Sequence, residues 1–432
     1  MAPRGTKGRR VHAKPKRPVS LVSRLGPGLI TGAADDDPSG VATYSQAGAQ
    51  FGPDMLWTVV FAYPLMVAVQ LISARIGRVT GAGLAANMAK VLPRPAVGLL
   101  VGLLFVANTV NIGADIAAMG AAAELVAGHG RHVFTILFAV FSLLLQMFVP
   151  YRRYVRFLKW LTLALLAYPA LLLMVRVDWA AAGLGLVWPG AAVRAADPVT
   201  TIVAIFGTTI SPYLFFWQSA QEVEEVRRDP AAHPLKRAPE QAPAEFARMR
   251  LDTFVGMAVS NLISLSIMIG TAATLHAAGK TNIQTAADAA NALKPIAGPF
   301  AFSLFSLGIV GTGLLAVPVL AGSAAYAVGE TRGWRCGLEE KPWEAVGFYS
   351  VIAVATALGV VIDWSPLDPM KALFWSAVIN GVIAVPMMAA AMFVASRHEQ
   401  MGRFTSNLGL KAFGWLATAV MAAATIAMFV TL

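Results

Sequence analysis

Eleven runs of apolar residues, each long enough to cross a membrane, dominate this chain of 432 residues. They lie near 28–52, 54–76, 95–126, 132–150, 158–176, 198–224, 252–276, 298–328, 343–362, 370–395 and 409–431. A hydrocarbon core about 30 Å thick is crossed by roughly 20 apolar residues in helical form. The expected fold class is therefore an all-α polytopic membrane protein with eleven transmembrane helices. Charge agrees: 13% of residues are charged and mean hydropathy is +0.64, against about 25% charged in an average soluble protein. A soluble enzyme, a disordered chain and a secreted disulfide scaffold are excluded. The single cysteine, Cys336, allows neither an intrachain disulfide nor a Cys-rich zinc site.

Lys and Arg are retained on the cytoplasmic side of a membrane. With the N-terminus inside, all of the 34 fall in inside segments except Arg131, Arg176, Arg194, Lys280, Lys294 and Lys371. The chain is expected in a bacterial inner (cytoplasmic) membrane, N-terminus in and C-terminus out. Residues 1–25 read as a basic cytoplasmic tail without the apolar core of a signal peptide. The expected organisation is a first five-helix repeat over 26–176, an extracytoplasmic loop at 177–197 whose apolar residues suit a surface helix, a second five-helix repeat over 198–395, and an eleventh helix within 396–432. Within the second repeat, the basic, Pro-rich segment 226–250 reads as a solvated cytoplasmic connector.

Runs 1 and 6 are both interrupted. The first contains Asp35-Asp36-Asp37-Pro38-Ser39-Gly40 and the sixth Thr208-Thr209-Ile210-Ser211-Pro212-Tyr213. Pro38 and Pro212 cannot donate a backbone hydrogen bond and clash with the preceding turn. Broken helices five spans apart, inverted in the membrane, point to a secondary transporter whose substrate sits between the breaks. Asp37 lies about ten residues into its run, roughly 15 Å deep at 1.5 Å per residue. A carboxylate there costs about 2.5–3.5 kcal/mol or more on insertion scales. Two readings follow: Asp37 caps a half-helix, or it balances a cation. Freed carbonyls, Asp37 and the Ser211 hydroxyl would give an all-oxygen site suited to hard divalent ions. Asp35 and Asp36 are candidates for lining a vestibule or capping the break.

These residues resemble the Nramp (natural resistance-associated macrophage protein) family of divalent metal transporters. The likeness runs through GPGLITGAADDDPSGVATYSQAGAQFG at 26–52, RIGRVTGAGLAANMA at 75–89, GADIAAMGAA at 113–122 and FGTTISPYLFFWQS at 206–219. It implies a LeuT-type 5+5 inverted repeat, alternating access and a metal held between helices 1 and 6. It places metal ligands at Asp37 and at the carbonyls of Ala34 and Thr208. The chain departs from the family's Asp-Pro-Gly-Asn, with Gly40 in place of the asparagine ligand. It also departs from Met-Pro-His, with Ser211 replacing the thioether and Tyr213 the histidine. Loss of sulfur and the volume left by Gly40 favour a wetter, harder site. The pattern is closer to the Nramp-related magnesium transporter branch, so Mg²⁺ is expected ahead of Mn²⁺ or Fe²⁺. Of the family's acidic residues on the third helix, only Asp115 is matched; Asn108 and Ala118 cannot titrate, and helix 9 has no buried arginine pair. Asp115 is then either a relay remnant or a hydrogen-bonding partner of Asn111 or Asn108, and proton coupling is expected to be weak or absent.

Gln218, where the family has a histidine, is assigned to the cavity lining. Asn380 either touches the ion's water shell or makes an interhelical bond. Glu222, Glu224 and Glu225 read as a solvated charge run. No cofactor, catalytic residue, nucleic-acid partner or obligatory protein partner is expected beyond the bilayer and the transported divalent ion. No phosphate-binding Gly loop supports ATP-driven pumping. The alternatives are a proton-coupled Mn²⁺ or Fe²⁺ importer, a sodium-coupled amino-acid or amine transporter of the same fold, and a metal-binding membrane receptor.

Overall fold

The structure, a computed structural model, describes residues 27–149, 153, 162–190, 198–366 and 368–431. The basic tail 1–25 and the beginning of the fifth apolar run lie outside these residues, as does 191–197 of the 177–197 loop. The described residues form helices and turns, with no strand among them. Among the described residues, eight helical stretches are long and apolar enough to cross a membrane, and Val346–Ile362 is a shorter apolar helix at the ninth run.

The described helices of seven or more residues, in chain order, are α1 (Pro27–Asp35), α2 (Pro38–Phe51), α3 (Leu56–Thr80), α4 (Leu84–Val91), α5 (Arg94–Ala127), α6 (Arg131–Phe148), α7 (Trp179–Gly185), α8 (Val199–Thr209), α9 (Pro212–Arg228), α10 (Ala242–Thr271), α11 (Ala301–Arg332), α12 (Val346–Ile362), α13 (Pro369–Ser396) and α14 (Leu408–Thr431). Runs 1 and 6 are both split at the expected proline: α1 stops at Asp35 and α2 starts at Pro38, and α8 stops at Thr209 and α9 starts at Pro212. Each proline opens the second half-helix, where its missing N–H costs nothing.

The two split helices sit inside the bundle. The half-helix α1 packs on α10, α8 packs on α13, and α9 packs on α3 and α11. Helix α5 lies against α11, α12 and α13, and α14 covers α13 and α3. Two glycines let backbones touch. A Cβ on Gly32 would stand 2.3 Å from the Gly256 carbonyl oxygen of α10, and one on Gly207 would stand 2.0 Å from that of Ala377 on α13. Small residues at helix crossings give this kind of packing in membranes.

Three expectations are refined. The 177–197 loop does form a short helix, α7, with Asp178 accepting from the N–H groups of Ala180 and Ala181. The 226–250 connector is not a free solvated segment. Helix α9 runs to Arg228 and α10 begins at Ala242, so the turns between span only 229–241. Leu235 is buried, and the N–H groups of Leu235 and Lys236 donate to the Arg78 and Val79 carbonyls at the end of α3. An apolar anchor and the unpaired carbonyls of a helix C-terminus outweigh the polar composition. Nor is Glu222 solvated: its side chain is 0% exposed and pairs with Arg248 at 2.5 Å, while Arg248 and Arg78 both reach Glu245. Helix α9 turns this face toward α10, where a buried carboxylate needs a partner. Glu224 accepts from the Tyr326 hydroxyl, and Glu225 pairs with Arg228.

Candidate metal-ion site

Asp37 is the residue between the halves of the first split helix. Its backbone is extended (φ −70°, ψ 170°) and its Oδ1 accepts from the Gly40 N–H, the N-cap geometry that starts α2. The Ser39 hydroxyl donates to the same oxygen at 2.7 Å. Oδ2 faces the other way, toward the second break. There it accepts from the Tyr213 hydroxyl at 3.3 Å and from Asn111 Nδ2 at 3.1 Å. Asp37 thus performs the capping role and also meets the second split helix. The Tyr213 hydroxyl lies 3.2 Å from the Ala34 carbonyl, so one side chain touches two predicted ligands.

The second break presents oxygen as well. Ser211 is the N-cap residue of α9, but its hydroxyl turns back to the carbonyls of Gly207 (2.7 Å) and Thr208 (2.8 Å). These carbonyls belong to the end of α8, where no helical partner remains. Two predicted ligands, Ser211 and Thr208, are therefore bonded to each other, and an ion drawing on both would displace that bond. Thr208 Oγ1 is buried without a partner among the described residues. It lies 3.2 Å from the point where a Cβ on Gly40 would stand, with Tyr44 Cε2 at 3.4 Å. The space expected at Gly40 is thus closed off by Thr208 and Tyr44, and the N–H of Gly40 is spent on Asp37. Asp37, Thr208, Ser211 and Tyr213 are each no more than 1% exposed, so the site is closed to bulk solvent.

Asn111 was legible only as a neighbour of Asp115. It joins three groups: it donates to Asp37 and to Asp115 Oδ2 (3.4 Å), and its Oδ1 accepts from Asn380 (3.4 Å). Asn380 therefore makes the interhelical bond, one link away from Asp37. Asn108 is not a partner of Asp115; its amide donates to the Leu320 carbonyl and the Ser323 hydroxyl. Gln218 accepts from the Thr31 hydroxyl at 2.5 Å, joining α9 to α1 rather than lining open space. The Ser260 hydroxyl of α10 meets Asp35 Oδ2 (2.7 Å) and Asp36 Oδ1 (3.0 Å). One hydroxyl hydrogen cannot satisfy both oxygens. Pairings such as these, between residues 74 to 269 positions apart, leave no periodic mark in the sequence.

The balance of charge here is uneven. Asp35, Asp36, Asp37 and Asp115 are all buried, and none joins an ion pair among the described residues. Asp35 Oδ1, Asp115 Oδ1 and Asn380 Oδ1 are buried without a donor among those residues. Buried carboxyl groups of this kind either hold a proton or take a positive partner. Among the described residues no three His, Cys, Asp or Glu side chains converge as a metal cluster. Any ion between the breaks must take one carboxylate together with carbonyl, hydroxyl and amide oxygens.

Two split helices meeting at a buried acid inside a helical bundle define a LeuT-type membrane protein. The fold is shared with the crystal structure of the Eremococcus coleocola manganese transporter in complex with an aromatic bis-isothiourea substituted compound (TM-score 0.68, 18% identity, 94% of this chain and 85% of that one). It is shared also with Mhp1, a nucleobase-cation-symport-1 family transporter (TM-score 0.58, 15% identity, 97% of this chain and 91% of that one). The sequence model described as natural resistance-associated macrophage protein-like matches residues 28–431, so the chain belongs to the Nramp family. The divalent metal cation transporter MntH of Yersinia enterocolitica is 30% identical over 302 residues, 68% of this chain and 69% of that protein. MntH of Pectobacterium carotovorum is 25% identical over 417 residues, 94% and 93% of the two chains.

Proposed function

We propose that this protein moves divalent metal cations across a bacterial inner membrane by alternating access, taking Mg²⁺ ahead of Mn²⁺ and with little or no coupled proton movement. The observation that carries the reading is the group of buried carboxyls, without an ion pair among the described residues, at the meeting of two split helices. A divalent ion on Asp37, Ala34 and Thr208, with the Ser211 hydroxyl, would supply the positive charge that no basic side chain among the described residues supplies. The relatives named as divalent metal cation transporters support the cargo class. Sulfur is missing from the partners of Asp37 and Ser211, and oxygen donors suit a hard ion that keeps part of its water shell. The acids also disfavour a substrate carboxylate at the break, as an amino-acid carrier would require. Asn108 and Ala118, where the family has acidic residues, interrupt any line of titrating groups along α5.

Purified protein in liposomes, assayed with Mg²⁺, Mn²⁺, Ca²⁺ and Fe²⁺ and a pH dye in the lumen, tests this. Mg²⁺ and Mn²⁺ enter without matching acidification, and Asp37→Ala lowers flux roughly tenfold or more, as the loss of a charge-assisted ligand implies. Flux of Mn²⁺ or Fe²⁺ that Mg²⁺ neither shares nor competes with would overturn the Mg²⁺ assignment. Acidification in step with the metal would overturn the uncoupled one.

A further inference from the structure

A groove of about 400 Å³ opens between α3, α10 and α14. Most of its wall is apolar, and two of its aromatic residues, Phe254 and Phe413, are 42% and 46% exposed on helices that are apolar enough to face lipid. Two arginines close one end. Arg75 stands five residues before the end of α3, and Arg250 lies in the third turn of α10. Arg75 is held in place: its guanidinium carbon sits 4.1 Å over the Phe246 ring and its Nη2 donates to the Phe404 carbonyl at 3.1 Å. Its Nε is buried and donates to nothing among the described residues. Arg250 acts on Arg75 as a like charge, and neither is ion-paired among those residues. No acidic side chain lines the groove.

We infer that this groove is a binding site for one anionic phospholipid, its acyl chains along α10 and α14 and its phosphate on Arg75 and Arg250. Two like charges lining one apolar groove repel each other until an anion arrives. A fixed guanidinium with a free N–H pairs with phosphate in a directional way. Basic pockets between membrane helices take anionic headgroups in this manner. A free phosphate ion would use the arginines and leave the apolar wall bare, whereas a phospholipid uses both. The occupant would bridge α14 to α10 and α3, on which the half-helices α1 and α9 pack, independently of which metal is carried.

The test is native mass spectrometry and thermal unfolding of the full-length protein in detergent, supplied with phosphatidylglycerol, phosphatidylcholine or inorganic phosphate. Phosphatidylglycerol is retained as a single tight adduct and raises the melting temperature; the other two do neither. Arg250→Gln, which removes no hydrogen bond recorded for this side chain, lowers retention by roughly fivefold, and Arg75→Gln with Arg250→Gln abolishes it. Equal retention of phosphatidylcholine, or phosphatidylglycerol binding untouched by Arg250→Gln in a protein that still folds, would overturn the proposal. Stabilisation by inorganic phosphate alone would overturn the lipid as occupant.

Discussion

Ser211 stands where one atom would change the chemistry of the site most. Its hydroxyl is hard and is bonded to the Gly207 and Thr208 carbonyls. Ser211→Met exchanges it for a polarisable sulfur and frees both carbonyls. Sulfur favours softer transition metals over Mg²⁺, so the variant shifts selectivity toward Mn²⁺ and Cd²⁺. The check is competition in proteoliposomes: the concentration of Mg²⁺ that halves Mn²⁺ uptake rises by about tenfold or more, the equivalent of ~1.4 kcal/mol. Unchanged competition would show that position 211 does not face the ion. At this scale, residues acting through backbone chemistry were readable in advance. Pro38 and Pro212 mark the two breaks, although Pro64, Pro318 and Pro386 stay inside continuous helices, and Asp37 beside a break must cap it or hold charge. Asn111 and Ser260 were not readable in these roles, because each acts across helices that only the folded bundle brings together.

Helices α3, α9 and α10 are joined by a chain of charges from Glu222 through Arg248 and Glu245 to Arg78. Glu222 is the vulnerable member, because it is fully buried. Removing the partner of a buried charge costs about 3–5 kcal/mol, while replacing the pair by neutral groups costs far less. Arg248→Ala is therefore expected to lower the melting temperature by several degrees, and adding Glu222→Gln to recover much of the loss. Thermal unfolding of the two variants checks this; an Arg248→Ala protein as stable as the parent would contradict it. The charge run was visible in the sequence, but its face was not. A 3.6-residue period places Glu222 and Glu225 on one side of α9 without saying whether water or α10 lies opposite.

For the molecule as a whole, the asymmetry of Lys and Arg predicts that the two termini lie on opposite sides. A C-terminal alkaline phosphatase fusion is expected to be active and the matching green fluorescent fusion dark. The reverse result would remove one crossing from the count of eleven. The apolar runs behind that expected count are legible because each crossing needs its own length of apolar chain, whatever its neighbours; the described residues hold eight stretches long and apolar enough to cross and one shorter apolar helix. The packing order, in which α1 leans on α10 and α8 on α13, was not, since apolar faces carry no address. The two oxygens of Asp37 divide their work, one starting α2 and the other reaching Asn111 and Tyr213. A visiting ion can take the second oxygen by exchanging places with two neutral donors, while the first turn of α2 stays fastened. Under the proposed function, loading and unloading would leave that element intact, and the same carboxylate would serve as both hinge pin and berth.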